Sequence, residues 1–145
     1  MNDKTLRIQT LHGTAQEASA FVLSHFLTQN FTVSSKKDGS EVTTIDIEAE
    51  LRVRSMLLDA FPEDGFLGEE NGEIKGTSGY RWVVDPIDGT ASFARGVPLF
   101  GTLIGLELNS KPIAGVASLP ALDETISAVL GEGIIHQGKV GSSMS

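Results

Sequence analysis

The sequence predicts an α+β fold in which two long helices pack on one face of a mostly antiparallel sheet. Between residues 5 and 60, apolar side chains recur at helical spacing, whereas the remainder consists of short apolar segments separated by Gly, Pro, Asn and Ser. Each helix and strand must bury its apolar side against another element, so helices followed by strands favour two packed layers. With 145 residues and 40% hydrophobic content, the chain can form one domain with a substantial core.

The two helices are predicted over residues 5–30 and 45–60. In the first, apolar residues recur every three or four positions, and a turn signal at residues 38–40 separates it from the second through a hairpin or loop. The sequence Thr-Thr-Ile-Asp at residues 43–46 is typical of a helix N-terminus, and Phe61-Pro62 ends the second helix.

Short apolar segments predict strands at residues 66–67, 80–84, 99–108, 113–119 and 125–130. The turn at residues 109–112 indicates an antiparallel hairpin, and residues 131–133 join another pair of strands. We expect residues 1–140 to form a single domain and the Gly- and Ser-rich residues 141–145 to be a frayed tail.

Composition excludes several classes of function. Eleven basic residues against 19 acidic ones give a net charge of −8, which disfavours non-specific binding to nucleic acid or to an anionic membrane. The absence of cysteine excludes a disulfide framework. No apolar run of about 18 residues and no secretory signal pattern is present, so we expect a cytoplasmic protein.

The most informative segment is residues 85–90, Asp-Pro-Ile-Asp-Gly-Thr, which follows the apolar run Trp-Val-Val. Residues 68–72, Gly-Glu-Glu-Asn-Gly, supply two further carboxylates in a glycine-flanked turn. Gathered carboxylates repel one another unless a cation lies between them, and oxygen-only ligands suit magnesium. Zinc is disfavoured because His12, His25 and His136 lack zinc-ligand spacing.

Each acidic residue taken alone also has a structural interpretation. Asp46 is a favourable first-turn helix residue, Glu69 in a turn is ordinarily solvated, and Asp85 and Asp88 belong to common turn dipeptides. A calcium-binding loop is excluded because its spacing of carboxylates is wrong and Gly96 occupies its twelfth position. The functional interpretation therefore depends on the motifs occurring together.

Together, residues 42–46, 68–70 and 82–90 with Phe93 resemble the inositol monophosphatase superfamily of lithium-sensitive, magnesium-dependent phosphatases. Residues 36–40 and 98–104 are most similar to its histidinol-phosphate phosphatase branch. The resemblance covers nearly the whole chain but only the first half of a usual family member. It therefore implies an N-terminal domain of the layered αβαβα fold, with the C-terminal domain and its Trp-Asp motif absent.

The resemblance implies the metal ligands. Glu69, Asp85 and the carbonyl of Ile87 would hold the first magnesium ion, which lowers the pKa of a bound water. Asp85 and Asp88 would hold a second ion, which stabilises the departing alkoxide. The expected cofactor is thus Mg²⁺.

It also implies the catalytic and phosphate-binding residues. The attacking water needs a proton acceptor, and the resemblance places the Thr90 hydroxyl and Glu69 around this water. Asp46 would be hydrogen-bonded to Thr90 and would orient it. The backbone N–H groups of Gly89 and Thr90 would bind the phosphate, and Lys36 would tune the charge of the substrate site.

The expected function is a magnesium-dependent phosphatase that hydrolyses a small phosphate monoester, with L-histidinol phosphate preferred, as in histidine biosynthesis. The alternatives are an inositol-1-phosphatase, a related sugar or nucleotide 3′-phosphatase, or a truncated noncatalytic remnant. We expect a homodimer in the full-length form. Absence of the second half should leave an exposed sheet edge or apolar patch.

Overall fold

The computed structural model describes residues 2–138, so the predicted tail at 141–145 lies outside the described residues. This part of the chain contains three α-helices, nine strands and one 3₁₀ turn. They are α1 (Asp3–Thr28), β1 (Val33–Ser35), β2 (Glu41–Thr43), α2 (Thr44–Ala60), β3 (Gly65–Gly68), β4 (Gly72–Ile74), β5 (Tyr80–Asp88), α3 (Thr90–Ala94), β6 (Gly101–Leu108), β7 (Lys111–Leu119), the 3₁₀ turn (Pro120–Leu122), β8 (Glu124–Val129) and β9 (Gly133–Gly138).

Seven strands form one sheet in the order β4-β3-β5-β6-β7-β8-β9, and β1 pairs with β2 in a separate hairpin. Every neighbouring pair in the large sheet is antiparallel except β3 and β5, which run parallel. The prediction of a mostly antiparallel sheet is confirmed. The single parallel pair matters for the site, because the carboxyl ends of its two strands meet at the same edge.

Both long helices pack on the same face of the sheet, as predicted. Helix α1 contacts β5, β6 and β7, and α2 contacts α1 and β5. The core between these layers combines Leu11 of α1 and Leu57 of α2 with Trp82 and Leu106 of the sheet, all fully buried. Burial of such large side chains contributes about 1.5–3 kcal/mol each.

The opposite face of the sheet carries an apolar groove of about 730 Å³. Its floor includes Leu67, Val83 and Leu103, and Ile134 on its far side is 57% exposed. The expected exposed apolar patch is therefore present.

Within residues 2–138, no helix combines the length and the apolar character that a membrane span requires.

The helix boundaries follow from local capping. Helix α1 begins earlier than predicted, at Asp3, because the side chain of Asn2 accepts a hydrogen bond from the Thr5 N–H at 2.7 Å. It ends at Thr28, followed by Gln29 in the left-handed region with φ 53°. Helix α2 begins with the predicted capping sequence, in which Thr43 and Asp46 form a capping box.

The sequence patterns missed strand β4, helix α3 and the 3₁₀ turn, and they predicted β5 too short. Strand β4 and helix α3 have three and five residues, too few for a hydrophobic period to show. Strand β5 continues past the predicted end at residue 84 to Asp88 and includes Pro86. Proline is tolerated there because the register with β6 is irregular between Asp85 and Asp88.

Candidate metal and phosphate site

Parallel pairing of β3 and β5 brings the two acidic segments together. The last paired residues are Gly68 and Val84, so Glu69 and Asp85 follow side by side at the carboxyl ends of the two strands. Their carboxyl groups lie within hydrogen-bonding reach of each other, and both line the apolar groove. The fold thus places two of the predicted metal ligands in contact.

The surroundings of Asp85 raise its pKa to about 7. Burial is the largest cause, followed by the charge and hydrogen bond of Glu69 and by the charges of Asp88 and Asp46. Asp88 itself is exposed. A carboxyl group that is difficult to ionise among other carboxylates fits a site that a hard cation would complete.

The acidic side chains do not form a closed cage. Among residues 2–138, no group of three or more acidic or histidine side chains converges closely enough to hold a metal ion. The donor set remains one of oxygen atoms, because the chain contains no cysteine and none of the three histidines belongs to this cluster. Such a set fits Mg²⁺ better than zinc.

Asp46 makes contacts both within the cap of α2 and with Thr90. Its Oδ2 atom accepts hydrogen bonds from the Thr43 N–H and hydroxyl at 2.7 and 2.5 Å, while its Oδ1 atom accepts one from the Thr90 hydroxyl at 2.8 Å. With 1% of its surface exposed and both oxygens engaged, Asp46 is placed to orient Thr90. The expected Asp46–Thr90 hydrogen bond is present.

The turn between β5 and α3 requires glycine at position 89. Gly89 has φ 90°, and a Cβ atom there would lie 2.9 Å from the carbonyl oxygen of Leu99. The next residue, Thr90, also lies within hydrogen-bond distance of the Ile87 carbonyl, at 3.2 Å. The Ile87 carbonyl therefore faces this turn, while the Ile87 side chain is buried in the core.

Lys36 follows β1 and reaches the same acidic segment. Its ammonium group lies 2.8 Å from Glu70 and 3.8 Å from Glu69. Burial, the largest influence, lowers the pKa of Lys36, but Glu70, Glu69 and Asp46 together outweigh it, so the pKa is raised. The pKa of Glu70 is raised, because burial outweighs the opposing effect of Lys36. Lys36 is therefore a fixed positive charge beside the carboxylates.

Sequence reasoning missed Glu50. This side chain is fully buried and accepts hydrogen bonds from the backbone N–H groups of Glu70 and Asn71 at 2.8 and 2.6 Å, and from the Asn71 side chain at 2.6 Å. A usable signal exists, because a glutamate lies between Ala49 and Val53 on the buried side of an otherwise amphipathic helix.

Comparison with known proteins identifies the family. The model of the inositol monophosphatase family matches residues 3–144. The chain belongs to this family. The resemblance inferred from the motifs is confirmed, and it extends through the segments that supply Asp46, Glu69, Asp85 and Thr90.

Two relatives illustrate the range of named activities within the inositol monophosphatase family. The chain is 41% identical over 124 residues to a histidinol-phosphatase of Chlorobaculum parvum, covering 86% of this chain and 48% of that protein. It is 44% identical over 106 residues to an inositol-1-monophosphatase of Rhizobium meliloti, covering 72% of this chain and 40% of that protein. These identities are too similar to select a substrate.

Solved structures of the family share the fold. The extragenic suppressor protein suhB from Bartonella henselae superposes with a TM-score of 0.86 at 35% identity, over 91% of this chain and 52% of that one. An inositol monophosphatase of Thermotoga maritima gives a TM-score of 0.79 at 28% identity, over 94% and 52%. The chain spans about half the length of the relatives that it matches.

Proposed function

We propose that the protein is a magnesium-dependent phosphatase that hydrolyses a small phosphate monoester. The observation that carries the proposal is the contact between Glu69 and Asp85 next to the hydrogen-bonded pair Asp46 and Thr90. Members of the inositol monophosphatase family are metal-dependent phosphatases acting on small phosphate monoesters. Magnesium is our choice of metal, because the donors are carboxylate and carbonyl oxygens.

Glu69, Asp85 and the Ile87 carbonyl would hold the first ion, and Asp85 and Asp88 the second. Bound metal would supply an activated water and would neutralise charge on the phosphoryl and leaving-group oxygens. Without such help, phosphate monoesters hydrolyse extremely slowly. The charge repulsion within the acidic cluster supports this assignment, because a cation would relieve it.

Glu69 would receive the proton of the attacking water, and the Thr90 hydroxyl would accept a hydrogen bond from that water. The Thr90 hydroxyl has one proton, which it donates to Asp46, so its lone pairs remain available to accept a hydrogen bond from that water. Asp46 would keep the hydroxyl in this orientation. The backbone N–H groups of Gly89 and Thr90 would bind the phosphate, where the absence of a side chain lets the main chain approach the ligand. Lys36 would balance the negative charge of substrate and carboxylates.

L-histidinol phosphate is the preferred substrate of this proposal, with L-histidinol as product. The named histidinol-phosphatase relatives and the motif at residues 36–40 support it. Inositol-1-phosphate is the second candidate, supported by the similar identity to named inositol-1-monophosphatases. We further propose a cytoplasmic location and a homodimer for the complete protein.

Phosphate release by the full-length gene product tests the function. L-histidinol phosphate and inositol-1-phosphate are supplied separately at equal concentration, with MgCl₂ and with EDTA in excess. We expect magnesium-dependent release, with higher kcat/KM on L-histidinol phosphate. Higher kcat/KM on inositol-1-phosphate would reverse the order of substrates, and inactivity on both would refute the proposal.

A candidate from another class is a noncatalytic remnant that keeps the acidic turns, as suggested by a match to only half of each relative. Calorimetric titration with Mg²⁺ in the presence of phosphate separates the two. A competent site should bind both ligands cooperatively, whereas weak or absent binding together with inactivity would favour the remnant.

A further inference from the structure

The buried carboxylate of Glu50 determines the path of the turn that carries Glu69. Glu50 is fully buried in α2, yet its charge faces three N–H donors of the turn after β3. Two donors are the backbone N–H groups of Glu70 and Asn71, and the third is the Asn71 side-chain amide. Hydrogen bonds of N–H groups to a charged acceptor contribute about 1.5–3 kcal/mol each, so they restrain this turn strongly.

Close approach of the turn to the helix requires glycine at position 68. A Cβ atom on Gly68 would lie 2.3 Å from Cδ of Glu50 and within 2.6 Å of both carboxylate oxygens. The sequence therefore combines a glycine and a buried glutamate at one contact. That combination keeps the residue before Glu69 against α2.

Helix α2 carries a second buried carboxylate one turn earlier. Asp46 holds the Thr90 hydroxyl, at 2.8 Å, on the loop after β5, while Glu50 holds the turn after β3. Residues four apart lie on the same side of a helix, so the two carboxylates face the same edge of the sheet. One rigid helix thus fixes both loops of the site relative to each other.

We propose that Glu50 is a positioning residue that holds the Glu69 carboxylate in the place needed to bind the metal. This inference rests on the proposed function. Glu50 does not touch the reacting atoms, because its oxygens are engaged by the turn. Its contribution is to restrict the conformations of Glu69 before the metal binds. Less conformational entropy is then lost on binding.

A purely structural role predicts a different outcome, because it would affect global stability without affecting the metal. Glu50→Gln has almost the same volume but replaces one acceptor oxygen by an NH₂ group that faces N–H donors. Glu48→Gln is the matched control, since Glu48 lies on the same helix and its side chain is 52% exposed.

The experiment measures three quantities on the full-length gene product: calorimetric Mg²⁺ affinity, the Mg²⁺ concentration for half-maximal hydrolysis, and amide hydrogen exchange at Glu70 and Asn71. We expect Glu50→Gln to weaken Mg²⁺ binding by about 10–100-fold, the usual effect of removing a group that orients a metal ligand. The rate at saturating Mg²⁺ should largely recover, and both amides should exchange faster. Glu48→Gln should match the wild type.

Two further variants keep the test decisive if Glu50→Gln folds poorly. Asn71→Ala removes one of the three donors and should shift Mg²⁺ affinity in the same direction by a smaller factor. Gly68→Ala should weaken Mg²⁺ binding by displacing the Glu50 carboxylate. Unchanged Mg²⁺ affinity in the folded variants, whatever their melting temperature, would overturn the inference.

Failure of the two proposals can be distinguished. If the wild type hydrolyses neither ester but binds Mg²⁺, and Glu50→Gln weakens that binding, the positioning role stands and the proposed function fails. If the wild type binds no Mg²⁺, both are overturned.

Discussion

Glu69 and Asp85 are neighbours because β3 and β5 run parallel, with Gly68 opposite Val84 at the last paired position. When both side chains are ionised they repel each other, and the burial of Asp85 makes this repulsion stronger than it would be in water. Charge repulsion therefore destabilises this edge of the sheet in the absence of a cation.

The first prediction concerns Asp85→Asn. In EDTA, the variant should melt at a higher temperature than the wild type, because one of two repelling carboxylates is gone. Mg²⁺ should raise the melting temperature of the wild type but not that of the variant. The kcat/KM of the variant should be lower by at least about 100-fold. Differential scanning calorimetry with and without MgCl₂ measures the first two effects.

Asp59→Asn is the control for this prediction, since Asp59 is exposed on α2. It should leave the Mg²⁺ response intact. An Asp85→Asn protein that gained stability from Mg²⁺ as the wild type does would show that Asp85 is not a metal ligand.

The second prediction concerns the Thr90 hydroxyl, which donates to Asp46 at 2.8 Å. Thr90→Val keeps the shape of the side chain and should lower kcat by roughly 10²–10⁴-fold, as expected when the hydroxyl that aligns the attacking water for proton transfer is lost. Leaving the buried Asp46 oxygen without its donor should also cost about 1–3 kcal/mol in the free energy of unfolding.

Thr90→Ser retains the hydroxyl and should keep most of the turnover and the stability. Steady-state kinetics at saturating Mg²⁺, with urea denaturation in parallel, separate the two effects. Equal kcat in the valine and serine variants would exclude the hydroxyl from the reaction.

The third prediction tests the glycine in the turn before α3. Gly89→Ala must adopt φ 90° and bring its Cβ atom 2.9 Å from the Leu99 carbonyl oxygen, so both strain and a clash should displace this turn. We expect a loss of stability and a loss of activity larger than stability alone explains. Thermal melts and kcat/KM of the folded fraction report on each.

Gly131→Ala is the matched variant, because Gly131 has φ 82° and no atom within 4 Å of its added Cβ. It should cost about 1–2 kcal/mol from backbone strain alone and leave activity unchanged. If Gly89→Ala were no worse than Gly131→Ala in either measurement, the close approach at this turn would have no functional importance.

The fourth prediction concerns the buried ion pair between Arg7 of α1 and Asp64, which follows α2. Asp64 accepts two hydrogen bonds from Arg7, at 2.8 and 2.6 Å, and others from Trp82 and Ser78 at 2.9 and 2.7 Å. The Arg7 guanidinium also contacts the faces of the Phe61 and Tyr80 rings. Asp64→Asn should lower the free energy of unfolding by about 3–5 kcal/mol, because it leaves a buried guanidinium without its counter-charge.

Glu48→Gln removes an exposed ion pair with Arg52 and should cost no more than about 1 kcal/mol. Urea denaturation of both variants makes the comparison. A loss in Asp64→Asn as small as that in Glu48→Gln would mean that the buried pair contributes little to stability.

Sequence patterns predicted the long helices and most of the sheet because those elements are long enough to show a period. Helix α2 also begins where its capping residues predict, because Thr43 and Asp46 satisfy each other locally. Strand β4 and helix α3 were missed, since both are very short and β4 exists through pairing with β3 rather than through its own residues.

The sequence alone determined which residue types gather in the acidic and glycine-flanked segments, and from them the family. It could not determine that Glu69 lies against Asp85, which depends on the parallel register of β3 and β5. The sequence could indicate that Glu50 lies on the buried side of α2, but not what it binds, because its partners are backbone N–H groups of a distant turn. Capping and turn contacts form between residues that are close in sequence, so they can be predicted from it. Contacts between distant segments exist only once the sheet and α2 have packed.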